Sequence, residues 1–264
     1  MSRISTRFTD TYGVTHPIAQ AGMAFVGMTP DLAVAVCEAG GLGSLGVGLM
    51  PPPVLKATID GIRAGTDRPF NVNFVTGLTE TPQIEVACVA VASFGSGGIV
   101  DGRGFAAALM LGADGAWVGT RLVATVESGA HPTYKARLVA AQGTDTVRTH
   151  VFGRQWPAEH DDGPVRVLRN EVVAQWHDRV GEIPRDVEAL PVIGRVSMMG
   201  MDPQLRKFSM FVPMASTTGD LEEMPLLAGQ GVGLVDSVGP AAEVIARMVT
   251  DAASAIRGAR LRTD

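Results

Sequence analysis

Apolar and polar positions along this chain switch between a period of two and a period near 3.6, and each switch falls at a glycine, a proline or a capping residue. His16-Pro-Ile-Ala-Gln20 is an extended apolar segment that breaks into the small-residue loop Ala21-Gly22-Met23. Thr29-Pro30-Asp31 then opens a helix with a capping residue, a first-turn proline and an acid at the positive end of the helix dipole. Gly40-Gly41 stops it. Leu42 to Gly48, "LGSLGVG", reads as a second strand, about Pro53 to Ala64 as a helix, and "FNVNFV", residues 70–75, as a third strand. A β, α, β, α, β alternation predicts a parallel sheet.

The most informative stretch is "GSGGIVDGRGFAAALMLGADGAWVGTR", residues 95–121. Gly97-Gly98-Ile99 closes an apolar strand with backbone free to take positive φ. Asp101 caps a helix starting near Gly102, and the apolar run to Leu111 ends at Gly112. Ala116-Trp-Val118 is the next strand, stopping at Gly119-Thr120. Two successive strand ends with bare backbone amides suit an anion, and in (β/α)8 barrels the loops after strands seven and eight usually hold a phosphate. The same glycines also satisfy tight turns alone.

The pattern loosens further on. Residues 129–142 predict a helix and 145–150 a short edge strand or connector. Residues 151–225, with Pro-rich joints and the methionine cluster in "VSMMGMDPQLRKFSMFVPM", predict a small helical substrate-side or lid subdomain; core filling is the favoured role of the methionines. Residues 226–264 return to the barrel, where Gly239-Pro240 opens a helix with Val244, Ile245, Met248, Val249 and Ala252 on one face. Residues 1–150 form the barrel portion, shortened between 76 and 96.

Composition narrows the class. A chain of 264 residues, 46% hydrophobic and only 5% aromatic, has the size of one α/β barrel. A net charge of −5 without a Lys/Arg stripe excludes a nucleic-acid scaffold, so an anion site must be local. Cys37 and Cys88 lie far apart in apolar surroundings, which excludes a disulfide framework or a cysteine metal site. No apolar run reaches the roughly 20 residues of a membrane span, so a cytoplasmic protein without a membrane partner is expected.

Five blocks in order, "PIAQAGM" (17–23), "EAGGLGSLG" (38–46), "PFNVNF" (69–74), "SGGIVDGRGFAAALMLGADGAWVGTR" (96–121) and "AGQGVGL" (228–234), resemble the nitronate monooxygenase family. That resemblance implies an FMN-dependent barrel enzyme oxidising alkyl nitronates with oxygen. It implies roles too: Ala21, Gly22 and Met23 against the flavin ring, Asn73 on its polar side, Gly97, Gly98, Gly119 and Thr120 at the phosphate, and Gln230 in a loop near the cofactor. Met23 as core filler, Asn73 as a turn cap and Gln230 as a surface residue are the plainer alternatives.

The resemblance exposes a gap. A barrel spends about 30 residues on each βα unit, so the third and seventh strands should stand about 120 residues apart. Only residues 76–96 separate "NVNFV" from "GGI", with room for at most one strand in the apolar run from Val86 to Phe94. About two to three βα units, roughly 90 residues, are missing from a TIM (β/α)8-type barrel of this kind. The family's Gly-Gly-His motif, whose imidazole is the general base, falls in that part. None of His16, His131, His150, His160 and His177 follows a Gly-Gly strand end. His16 sits at the wrong end of a barrel, His131 starts a helix, and the other three fall in polar surroundings. Its loss predicts proton abstraction slower by about 10²–10⁴-fold. Three outcomes stay open: an impaired nitronate monooxygenase, an enoyl-acyl-carrier reductase-like FMN enzyme, and a non-catalytic flavin- or phosphate-binding remnant. Strand edges exposed by the gap invite cover from a second copy in a homo-oligomer.

Overall fold

The computed structural model describes residues 4–47, 50–74, 94–154 and 163–259. The run expected to form a strand at Val86–Phe94 lies largely outside these residues, as do Cys88 and His160.

Five short parallel strands build the first half: β1 (Ile18–Gln20), β2 (Gly43–Gly46), β3 (Phe70–Asn73), β4 (Phe94–Ser96) and β5 (Gly115–Val118). β5 pairs with both β1 and β4, and β2 pairs with β3. A parallel bridge between Ala19 and Leu42 joins the two sets, with 2.9 Å bonds from the Gln20 amide to the Leu42 carbonyl and from the Leu42 amide to the Ile18 carbonyl. The spatial order is therefore β4-β5-β1-β2-β3. An open doubly wound sheet would set β4 beside β1; here the last strand closes on the first, as at the seam of a barrel. Past Leu42 the Gln20 side chain takes over the pairing: it accepts from the Ser44 amide (3.1 Å) and donates to the Ser44 carbonyl (2.7 Å).

Helices α1 (Arg7–Tyr12), α2 (Pro30–Glu38), α3 (Pro52–Gly65) and α4 (Gly102–Met110) fall where sequence periodicity and caps put α2 to α4. Thr29 occupies the N-cap of α2 without a side-chain cap bond, so the start rests on Pro30. Two short helices follow β5, α5 (Thr120–Val123) and α6 (Pro132–Ala140). Ile18 and Val118 pack outward on Leu32, Val36 and Phe105, under the long C-terminal helix whose predicted face, Val244 to Ala252, is buried. α4 lies tight on that helix because Gly102 has no side chain: a Cβ there would stand 2.4 Å from Asp251 Cβ and 2.6 Å from the Ala252 nitrogen.

The expectation of a helical subdomain over 151–225 is corrected. Its described residues hold β7 (Val165–Leu168), antiparallel to β6 (Thr146–Thr149), and an antiparallel trio β8 (Val192–Arg195), β9 (Gln204–Arg206) and β10 (Thr218–Gly219). The only α-helix in that span among the described residues is α7 (Glu171–Trp176). The reason is local: Val165-Arg-Val-Leu168 carries a period of two, and Met199 and Gly200, both left-handed (φ 51° and 75°), turn the chain tightly between the paired Met198 and Met201. Met198, Met214 and Met224 fill one small core and Met199 another. Asn170 serves structure: its carboxamide accepts from the Val173 amide, capping α7, and donates to the Met224 carbonyl at 2.8 Å. The C-terminal helix is α8 (Ala241–Ala259), its first amide accepted by the Glu127 carboxylate at 3.0 and 3.2 Å. No helix among the described residues is long and apolar enough to cross a membrane.

Candidate functional site

A cavity of about 310 Å³ opens at the carboxyl ends of β4, β5 and β1. Its walls are Gly97, Gly98, Ile99 and Val100 after β4, Trp117, Gly119 and Thr120 at the end of β5, Ala21 after β1, and Gly229 and Gly231 from the loop before α8. Carboxyl ends of parallel strands are where such sheets bind ligands, because the loops and amides there converge without side chains between them.

Backbone conformation shapes the cavity more than side-chain size does. Gly97 and Gly98 both lie in the left-handed region, at φ 85° and 70°, and a Cβ on either would meet nothing within 4 Å. Glycine is required there by its dihedrals, which residues with a side chain rarely adopt. At Gly119 a Cβ would meet only Ala21 Cβ, at 3.6 Å. Gly231 differs, since a Cβ there would come within 2.6 Å of the Gly98 carbonyl oxygen and 2.7 Å of Val100 Cγ2. The loop before α8 thus lies directly on the β4 turn and closes the cavity from above.

Donors are apportioned unevenly. The Asp101 carboxylate accepts from the Arg103 and Gly104 amides at 3.0 Å, so the start of α4 already has its anion. Burial pushes the Asp101 carboxyl up, but the Gly104 amide and Arg103 outweigh it and hold it below the ordinary value. At α5 no side chain fills the cap, and the first amides of a helix have no partner within it. The Thr120 hydroxyl oxygen accepts from the Gly229 amide at 2.9 Å, which leaves its hydrogen to donate elsewhere.

The sequence-derived positions divide into two groups. Ala21, Gly97, Gly98, Gly119 and Thr120 come together around the cavity. Gly22, Met23 and Asn73 lie beside it, packed on one another: a Cβ on Gly22 would fall 2.3 Å from Asn73 Cγ, and one on Gly46 2.4 Å from the Met23 carbonyl oxygen. Met23 also fills space between two apolar cores. Gln230 is exposed, and its neighbours Gly229 and Gly231 line the cavity instead. Sequence reasoning missed both, together with Trp117; the spacing Gly229-x-Gly231 was the available signal. His16 is buried before β1, His131 caps α6 through Nδ1 accepting from Thr133, His150 is exposed, and His177 Nδ1 lies 3.1 Å from Thr149 Oγ1. None of these four lines the cavity. Cys37 is buried, its thiol pushed up by burial. No cluster of metal-ligating side chains occurs among the described residues.

A parallel α/β chain with a glycine-walled cavity at the carboxyl ends of β4, β5 and β1 belongs to the TIM-barrel class. Within it, a family model described as nitronate monooxygenase matches in two stretches, residues 5–92 and 82–251, and the chain belongs to that family. A nitronate monooxygenase of Paraburkholderia phytofirmans is 57% identical over 61 residues, 23% of this chain and 16% of the relative. A putative monooxygenase of Mycobacterium tuberculosis is 30% identical over 190 residues, 72% of this chain and 46% of the relative. The chain spans less than half the length of these curated relatives. Among solved structures, FabK from Thermotoga maritima superposes with a TM-score of 0.70 at 27% identity, covering 97% of this chain and 99% of that one.

Proposed function

We propose that this chain is an FMN-binding oxidoreductase of the nitronate monooxygenase type, acting on a small nitronate with oxygen, its barrel shortened by two to three βα units. The observation that carries the reading is the cavity walled by Gly97, Gly98, Gly119 and Thr120, where three glycines leave backbone amides uncovered by side chains, as a phosphate requires. Its volume lies at the small end of the roughly 300–1,000 Å³ of ligand clefts, suited to a phosphate and its tail.

Bound FMN would supply the redox chemistry and the reaction with oxygen. The chain's own residues grip and orient. Amides after β4 and β5 and the Thr120 hydroxyl would hold the phosphate, and the Gly229–Gly231 loop would cover it. Ile99 and Trp117 add apolar wall. Ala21 leads from this end to Gly22, Met23 and Asn73, where the ring would lie.

The shortening is supported by strand order and by spacing. β3 and β4 sit at opposite ends of the arc, and residues 74–93 must replace every unit a whole barrel places between them. With no histidine among the described residues of the cavity's walls, deprotonation of a neutral nitroalkane should be slower than oxidation of a preformed nitronate, which needs no base. The test is oxygen uptake by FMN-loaded protein. Turnover of the nitronate at least about 10²-fold above that of the parent nitroalkane is expected. Equal turnover would contradict the missing base, and a yellow but inert protein would favour the flavin-binding remnant.

A further inference from the structure

Among the described residues the cavity wall contains no charged side chain, yet a phosphate ester brings close to two negative charges. The residue after Thr120 is a buried cation of the opposite kind. Arg121 is 2% exposed; its Nη1 donates to the Ala124 carbonyl at 3.1 Å and the Ser237 carbonyl at 3.0 Å, and its buried Nε has no partner. Among the described residues it pairs with no carboxylate. The nearest candidate, Asp236, is held at 3.0 and 2.9 Å by Arg247.

Buried charges are ordinarily paired, because the desolvation cost of a lone guanidinium is large. Arg121 does not relieve that cost by losing its proton, since arginine stays protonated in proteins. Burial and repulsion from Arg247 both act against its charge, and only Asp236 at longer range favours it. The cavity residue Thr120 opens the four-residue helix α5, and the Arg121 guanidinium is held at its other end by the Ala124 carbonyl, about 5 Å along the axis, one helical turn.

We propose that Arg121 is a positioning residue for the phosphate: a fixed positive charge behind the cradle that balances the dianion without touching it. The proposal rests on the phosphate reading of the cavity, and names the residue that supplies its charge. Through low-dielectric protein one such charge should change affinity for a dianion by about tenfold, and for a neutral ligand hardly at all. A merely structural arginine, tying α5 to the loop before α8, would weaken every ligand alike.

Wild type, Arg121→Gln and Arg121→Lys are compared for binding of FMN, riboflavin and inorganic phosphate, with circular dichroism checking the fold. Glutamine keeps a donor for the two carbonyls, and lysine keeps the charge. The expected result is about a tenfold loss of FMN and phosphate affinity in Arg121→Gln, with riboflavin unchanged and Arg121→Lys within about threefold of wild type. Equal losses for FMN and riboflavin, or a folded lysine variant as impaired as the glutamine one, would overturn the proposal. So would wild type that binds no phosphate. Wild type that binds inorganic phosphate with this charge dependence but not FMN would sink the flavin reading and leave Arg121's role standing.

Discussion

Gly98 and Gly231 are glycines for different physical reasons, and substitution separates them. Gly98 sits at φ 70° with open space around its missing Cβ, so Gly98→Ala should cost about 1–2 kcal/mol of backbone strain, read in denaturant unfolding. Gly231 has ordinary dihedrals but a neighbour in the way, 2.6 Å from where a Cβ would stand. Gly231→Ala should lift the loop off the β4 turn and lower phosphate affinity at least severalfold, with a smaller loss of global stability. Unchanged affinity would mean the loop does not close the cavity. The sequence made the first glycine legible through its pairing with Gly97 after an apolar run. It could not reveal the second, because the atom it avoids is about 130 residues away in the chain. Asn73 teaches the same lesson in reverse. An asparagine in an apolar strand demands a partner, but only the fold reveals that Gly22 packs upon it.

Among elements, α4 and the C-terminal helix were legible in their boundaries, since Asp101, Gly112 and Gly239-Pro240 are local signals. Their contact was not. Gly102 lets them meet, and Gly102→Val should separate them at a cost of about 2–3 kcal/mol, seen as a lower Tm. The loop entering α8 is held by Asp236 and Arg247. The bidentate bond from Arg247, against some burial, holds the Asp236 carboxyl down at about 2, below its usual 3.8. A carboxyl lowered by folding stabilises fully above its unfolded value and loses that contribution as pH falls through the folded one. Asp236→Asn should therefore lower stability in full above pH 4, progressively less as pH falls toward 2, and make no difference only well below pH 2. Both side chains are about half exposed, so the effect should stay below about 1 kcal/mol. Over residues 151–225 loosened periodicity and prolines suggest short helices, whereas a two-residue strand such as β10 leaves almost no periodic trace.

At the scale of the molecule, the order β4-β5-β1-β2-β3 organises the account. It places the last parallel strands against the first and gathers their carboxyl ends around one cavity. The alternation of strands and helices, the cavity's glycines and the family were all legible in order along the chain. The closing loop was not, because it depends on contacts between distant segments.

The central claim is that the cavity beside Gly98, Gly119 and Thr120 grips the phosphate of FMN, and a fluorescence titration of the purified chain with FMN and with riboflavin tests it most directly. Saturable binding of FMN, displaced by inorganic phosphate and at least about tenfold tighter than that of riboflavin, is the result expected from amide and hydroxyl donors aimed at a phosphate. Equal affinity for the two flavins, or no binding of either, would contradict it.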